Sequence, residues 1–274
     1  MNRLLLLTCT LAVHTAEAAP PPAVIPPDLN GHRIVIAPPA EAPPVRIAIF
    51  TGTGAPESGI ANVCARVEDL AGATIQRLTA EQIAAGALAD YDVVVFSGGS
   101  GSGQAKSLGE TGRERVREFV HAGGGYVGIC AGAYLACSNF SWGLGILNAS
   151  TVSSQWRRGS GFVEAEITVD GRPIFGQVPG VFFVRYNNGP ILQPGGRADL
   201  PAYQPLALFR TEVADNGTPA GIMRHSPALA AASFGRGRVF VSSPHPENTP
   251  GLEHLIPRAI LWTAGKLREP SPAP

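Results

Sequence analysis

The segment Gly124-Gly125-Tyr126-Val127-Gly128-Ile129-Cys130-Ala131-Gly132-Ala133-Tyr134-Leu135-Ala136 decides how this chain is read. Tyr126 to Cys130 is a short apolar run of the kind that forms a buried strand, and a helix is expected after it. Gly128 and Gly132 flank Cys130 two residues to either side, which is the G-x-[nucleophile]-x-G spacing of a nucleophile elbow. The spacing has a steric cause. The turn holds the nucleophile in a strained backbone conformation, and only small neighbours let strand and helix pass closely enough for its side chain to project. Cys130 is thereby predicted at a helix N-terminus, where the macrodipole and unpaired amides favour thiolate over thiol. A glycine-rich turn around a buried cysteine has the same local sequence, so context decides between them.

Upstream, Val45 to Phe50 reads as a buried strand feeding the loop Thr51-Gly52-Thr53-Gly54. Ile60, Val63, Cys64, Val67 and Leu70 follow at helical spacing, closed by Gly72. Thr74 to Leu78 is a second strand, and Glu81 to Leu88 a weaker helix. Asp92 to Ser97 is a buried strand that runs into the glycine-rich stretch Gly98 to Gly103, with a helix expected over Arg113 to His121. Strands alternating with helices predict an α/β fold with a parallel sheet covered on both faces. The second half changes character. Phe162–Val169, Val181–Tyr186, Leu206–Val213, Ala228–Phe234 and Arg238–Ser243 read as strands at hairpin-like spacing, an antiparallel extension with a return to the main sheet, and Leu252 to Leu267 closes the chain as a helix.

The strand at Arg238 ends in Ser243-Pro244-His245-Pro246-Glu247. In an extended segment positions i and i+2 face the same way, so Glu247 is expected to orient the ring of His245. The other histidines are set apart by position. His14 and His32 precede the folded unit, His121 ends a helix, and His225 and His254 have no such carboxylate beside them. Ser97-Gly98-Gly99-Ser100 supplies backbone amides that, with the Ala131 amide, are expected to form an oxyanion hole. A phosphate-binding loop fails on the position of Lys106, and a dinucleotide fingerprint lacks its acidic residue.

Together Gly128-Ile129-Cys130-Ala131-Gly132, the Gly98-Gly99 loop and His245-Pro246-Glu247 resemble the class I glutamine amidotransferase-like superfamily. Gly128 to Tyr134, Tyr186-Asn187-Asn188-Gly189 and the His-Pro-Glu resemble its branch found as the N-terminal domain of biotin-protein ligases and as stand-alone bacterial proteins. The resemblance spans about 45–265. It implies a flavodoxin-like three-layer sandwich, with Cys130 as nucleophile, His245 as general base and then acid, and Glu247 as its orienter. Gly99 and Ala131 are the expected oxyanion donors, and Gly98, Tyr134, Tyr186 and Asn187 the expected substrate contacts, with an Asn-Asn-Gly-Pro turn as the structural alternative for the last two. Glutamine-using members commonly carry Gln at the Tyr134 position and Pro at the Ser100 position, so the nucleophile carries over more directly than glutamine does as substrate. The expected activity is a cysteine hydrolase acting on a small-molecule or peptide amide. A non-catalytic binding module that keeps the elbow as a fold constraint is the alternative.

Composition sets the outer bounds. In 274 residues, 45% hydrophobic, there is ample material for a core, and 21 basic residues balance 21 acidic ones, which argues against a nucleic-acid partner. No ATP motif is present and no cofactor is expected. A metal site on Cys130, Cys137 and His245 is disfavoured by the lack of compact ligand spacing. Arg3, the apolar run Leu4 to Val13 and Ala16-Glu17-Ala18 read as a signal peptide over 1–18, too short to span a bilayer, so a periplasmic or extracellular protein is expected. Cys9 within it allows a lipid anchor as a weaker alternative. A proline-rich linker over 19–44, with nine prolines between Pro20 and Pro44, leads to one domain at 45–267 and a flexible tail at 268–274. Removing Cys9 leaves Cys64, Cys130 and Cys137, an odd number for an oxidising compartment.

Overall fold

A computed structural model describes residues 34–68, 70–178 and 180–268. The expected signal peptide, the first part of the proline-rich stretch and residues 269–274 lie outside them. In chain order the elements are β1 (Val45–Phe50), α1 (Glu57–Val67), β2 (Ala73–Leu78), α2 (Ala80–Ala84), β3 (Val93–Phe96), α3 (Gly101–His121), β4 (Gly125–Ile129), α4 (Ala131–Ala136), β5 (Ala149–Thr151), β6 (Ser160–Ile167), α5 (Arg172–Phe175), β7 (Val181–Asn187), β8 (Leu192–Pro194), β9 (Gln204–Phe209), β10 (Pro227–Phe234), β11 (Gly237–Ser242) and α6 (Leu255–Thr263).

Nine strands form one sheet in the order β2-β1-β3-β4-β11-β10-β9-β6-β7. From β2 to β11 every pairing is parallel, and from β11 to β7 every pairing is antiparallel. The parallel part has the flavodoxin-like order with β11 as its fifth strand, so the α/β expectation and its antiparallel extension both hold. The reason lies in the residues. β3 (Val93-Val94-Val95-Phe96) and β4 are buried at every position, which requires cover on both faces. Helices α1, α5 and α6 pack together on one side, and α2, α3 and α4 on the other, giving three layers. Phe50, Phe96 and Tyr126 stack across β1, β3 and β4 with centroids 4.9 and 5.5 Å apart, and fix the height of the loops that follow those strands.

Two features depart from expectation. α3 begins at Gly101, twelve residues before Arg113, with Ser100 as its cap: the Ser100 hydroxyl accepts from the Gly103 amide at 3.1 Å. The helix breaks at Gly109, where φ is 64°. A stretch this rich in glycine has poor intrinsic helix propensity, and packing overrides it. Second, the described end of the proline-rich stretch lies against the domain. Ile36 is fully buried, its amide donates to Gly251 O at 2.9 Å, and Glu41 pairs with Arg268. Among the described residues no helix is long and apolar enough to cross a membrane.

Candidate active site

Cys130 stands between β4 and α4 with φ 49° and ψ −94°, the strained conformation that the elbow spacing predicts. A Cβ on Gly128 would lie 2.5 Å from Gly132 O, and one on Gly132 would strike Phe96 O, so both flanking glycines are required by close backbone approach. The turn is tied to the neighbouring strand: the Cys130 amide donates to Ser242 O at 2.7 Å. The side chain is nearly enclosed, and its thiol donates to Asn187 O at 3.5 Å.

His245 follows β11, which runs beside β4, and this adjacency brings its ring to the elbow. Its backbone is clamped on both sides. The His245 amide donates to Arg185 O at 2.7 Å, and Thr249 Oγ1 donates to His245 O at 2.7 Å. A Cβ on Gly98 would lie 2.8 Å from His245 Cε1, so the bare backbone after β3 is the surface on which the ring rests. Nδ1 meets Glu247 Oε1 at 2.7 Å. The contact expected from sequence is made, by different local geometry: Pro246 to Asn248 form a turn of 3₁₀-helix, so the residues are not an extended i, i+2 pair.

Glu247 is almost fully buried, and its Oε2 has no partner among the described residues. A carboxylate held there needs a compensating positive charge. Burial alone would lower the pKa of His245, but its interactions with Cys130 and Glu247 outweigh that and raise it to about 10. Nε2 is shielded and makes no hydrogen bond of normal geometry, so ring and sulfur are close enough to interact without being joined.

A cleft of about 500 Å³ opens over this group at the carboxyl ends of β3, β4 and β7. Gly98, Gly99, Cys130, Tyr134, Asn187, His245 and Glu247 line it. Neither the Gly99 amide nor the Ala131 amide donates to a protein acceptor among the described residues. The Tyr134 hydroxyl donates to Asn188 O at 3.2 Å; burial, helped by Tyr186 and Cys130, raises its pKa, and Arg157 partly offsets the rise.

Tyr186 needs correction. Its side chain is fully buried, its hydroxyl donates to Gly189 O at 2.8 Å, and it lies outside the cleft lining. On β7 it shares its face with Phe182 and Val184, which turns it into the core beneath the Asn187–Gly189 turn. The same alternation puts Arg185 and Asn187 on the other face, and Arg185 lines the cleft together with Arg157 and the stacked pair Phe140 and Trp142. Sequence reasoning missed these four, although strand parity at Arg185 was a usable signal.

The three described cysteines are unpaired and unequal. Cys137 is fully buried, donates to Ala133 O at 3.3 Å, and its pKa is pushed up to about 12 by that burial. Cys64 packs in the core with Arg77 at 3.9 Å from its sulfur. Among the described residues no three His, Cys, Asp or Glu side chains are grouped to hold a metal ion.

Residues 45–155 match the family model "Biotin-protein ligase, N terminal". An uncharacterized protein from Chlamydia muridarum (strain MoPn / Nigg) is 25% identical over 171 residues, covering 58% of this chain and 61% of the relative, so the match leaves more than a third of that relative unspanned. Among solved structures, a ThuA-like protein from Parabacteroides merdae ATCC 43184 superposes with a TM-score of 0.57 at 14% identity, covering 84% of this chain and 93% of that one. PurLQS from Thermotoga maritima superposes with a TM-score of 0.55 at 13% identity, covering 82% and 98%. These likenesses show the fold alone, one that the chain shares with the ThuA-like protein and with PurLQS.

Proposed function

We propose that this chain is a cysteine hydrolase that cleaves a carboxamide or related acyl bond with Cys130, His245 and Glu247. The observation that carries the reading is a cysteine in a strained positive-φ turn that shares one cleft with an imidazole whose Nδ1 is held at 2.7 Å by a buried carboxylate. Strain of this kind costs about 1–3 kcal/mol and persists where the surrounding structure over-determines it, most often at reactive positions.

In this reading Cys130 attacks the carbonyl carbon as the thiolate of an ion pair with His245, whose raised pKa holds the thiol's proton on the ring beforehand. The oxygen takes the negative charge and is held by the Gly99 and Ala131 amides. His245 gives the proton to the leaving amine, the C–N bond breaks, and a thioester remains on Cys130. Water then loses a proton to His245 and attacks the thioester, and the ion pair is restored as the acid leaves. Glu247 keeps the ring oriented throughout.

One observation favours a second reading, a binding module without turnover: the thiol points at Asn187 O, and Nε2 makes no regular bond to sulfur. Iodoacetamide labelling against pH separates the two. The hydrolase reading expects labelling at neutral pH concentrated on Cys130 and amidase activity lost in Cys130→Ser. A labelling pKa near that of free cysteine, about 8.5, with no hydrolysis of an amide panel, supports the binding module. Export directed by residues 1–18 belongs to the proposal, and N-terminal sequencing of the mature protein tests it.

A further inference from the structure

We propose that the cleft selects amides bearing a negative charge remote from the reacting carbonyl, and that Arg157 and Arg185 hold that charge. This rests on reading Cys130 as the attacking group. Two arginines line the cleft, against a single acidic residue, Glu247, whose Oε1 is engaged by His245 and whose Oε2 is closed off from solvent.

The two arginines come from different parts of the chain. Arg157, in the connection before β6, reaches only the carbonyls of Ser154 and Trp156, at 3.2 and 3.5 Å. It also lies close enough to Tyr134, one helical turn past Cys130, to act on it electrostatically. The adjacent Arg158 is buried and pairs with Glu212 at 3.2 Å, so two neighbouring arginines divide between a structural role and an open one. Arg185 sits on β7 with its backbone bonded to His245 and Thr249, and its guanidinium has no acceptor among the described residues.

Arg157 is exposed and Arg185 half-buried, and an anion seated in the cleft that both line is attracted by two positive charges. The planar fork of arginine matches a carboxylate with two parallel hydrogen bonds. A free amino acid fits less well, because its ammonium would lie beside the same two arginines. The favoured substrate is therefore an amide whose far end is an anion, rather than a zwitterion.

The test compares glutaramate, glutaramide and glutamine, which present the same terminal carboxamide with an anionic, a neutral and a zwitterionic far end. Calorimetric titration into Cys130→Ser is expected to show glutaramate binding about tenfold tighter than the other two, as one extra ionic contact in a partly shielded site gives. That advantage should vanish in the Arg157→Met/Arg185→Met variant, with glutaramide affinity unchanged. Equal affinities, no binding of any of the three, tightest binding of glutamine, or an advantage that survives the double variant overturns the proposal. Should the double variant fail to fold, raising salt from about 20 to about 500 mM on the unmodified cleft must erase the advantage several-fold. A second measurement separates this inference from the hydrolase reading, namely the ratio of Cys130 alkylation rates by iodoacetate and by iodoacetamide. A ratio that drops about tenfold in the double variant supports the anion site. Rapid labelling by both reagents with a ratio the variant leaves unchanged sinks the anion site and spares the nucleophile. A Cys130 inert to both, with the glutaramate preference intact, does the reverse.

Discussion

The parallel strands β2-β1-β3-β4-β11 and the antiparallel strands β10-β9-β6-β7 contribute to the cleft in different ways. In the parallel half, position is imposed by backbone sterics: Gly128 and Gly132 admit the elbow, and Gly98 admits the imidazole. The antiparallel half adds a wall through Arg185 and Asn187 on β7 and, just before it, Arg157. The family match over residues 45–155 takes in Cys130 and the Gly98–Gly99 loop, but stops short of Arg157, Arg185, Asn187, His245 and Glu247. A fold shared with distant structures thus accounts for the elbow, whereas the groups that would choose a substrate come from the extension.

The largest effect is expected from the parallel half. Cys130→Ser should lower amide hydrolysis to background and abolish labelling at that position, leaving Cys137 protected by burial. Cys130→Gly should be equally inactive yet more stable by about 1 kcal/mol, because glycine adopts the positive φ without strain. Chemical denaturation measures it; a Gly variant less stable than Cys130→Ala would show that the turn is not strained by its side chain.

The next effect falls on the strand that joins the halves. His245→Ala should cost about 10²–10⁴ in turnover, the range of a removed general acid–base group, and Glu247→Gln about 100-fold, with the fold kept in both. Stability against pH gives an independent check. The pKa of folded His245 is raised to about 10 against an ordinary value of 6.5. Its contribution is therefore complete below about pH 6.5 and lost as pH climbs toward 10. Urea midpoints should fall across that window in the unmodified protein and stay flatter in Glu247→Gln. A flat profile in the unmodified protein would remove the imidazolium–carboxylate pair from the account.

The same division explains how much could be read from sequence. Strands buried on both faces are continuous apolar runs, so Val45–Phe50 and Val93–Phe96 announce themselves, and the elbow is legible because its sterics admit few residue types. The start of α3 was illegible, since Gly101 and Gly103 argue for a loop. There the helix is held by tertiary contacts, including Gln104 Nε2 to Ser97 O at 2.9 Å, and a Cβ at Gly101 would lie 2.9 Å from Ala131 O. Closeness to the elbow requires the first of these glycines, and closeness to Gly54 the second. Arg157 left no trace, and Arg185 only its strand parity, because an arginine beside or within a hairpin strand is ordinarily a solvated one, and only the approach of β7 to the segment after β11 gives them a cleft to face.

The smallest effect tests whether the antiparallel wall is scaffold or machinery at its inner face. Tyr186→Phe removes a buried hydrogen bond to Gly189 O and leaves that carbonyl unpaired, which should cost about 1–2 kcal/mol of stability. The ring remains packed against Phe209, with centroids 5.9 Å apart, so the turn that carries Asn187 should keep its place. Turnover in Tyr186→Phe should then stay within about threefold of the unmodified protein, whereas Asn187, whose carbonyl meets the sulfur at 3.5 Å, sits on a stretch where displacement would be felt at once. A tenfold loss of turnover in Tyr186→Phe without a matching loss of stability would mean that the hydroxyl acts on the chemistry through Cys130, and that the boundary between the half that reacts and the half that selects lies further into the sheet than the burial of Tyr186 indicates.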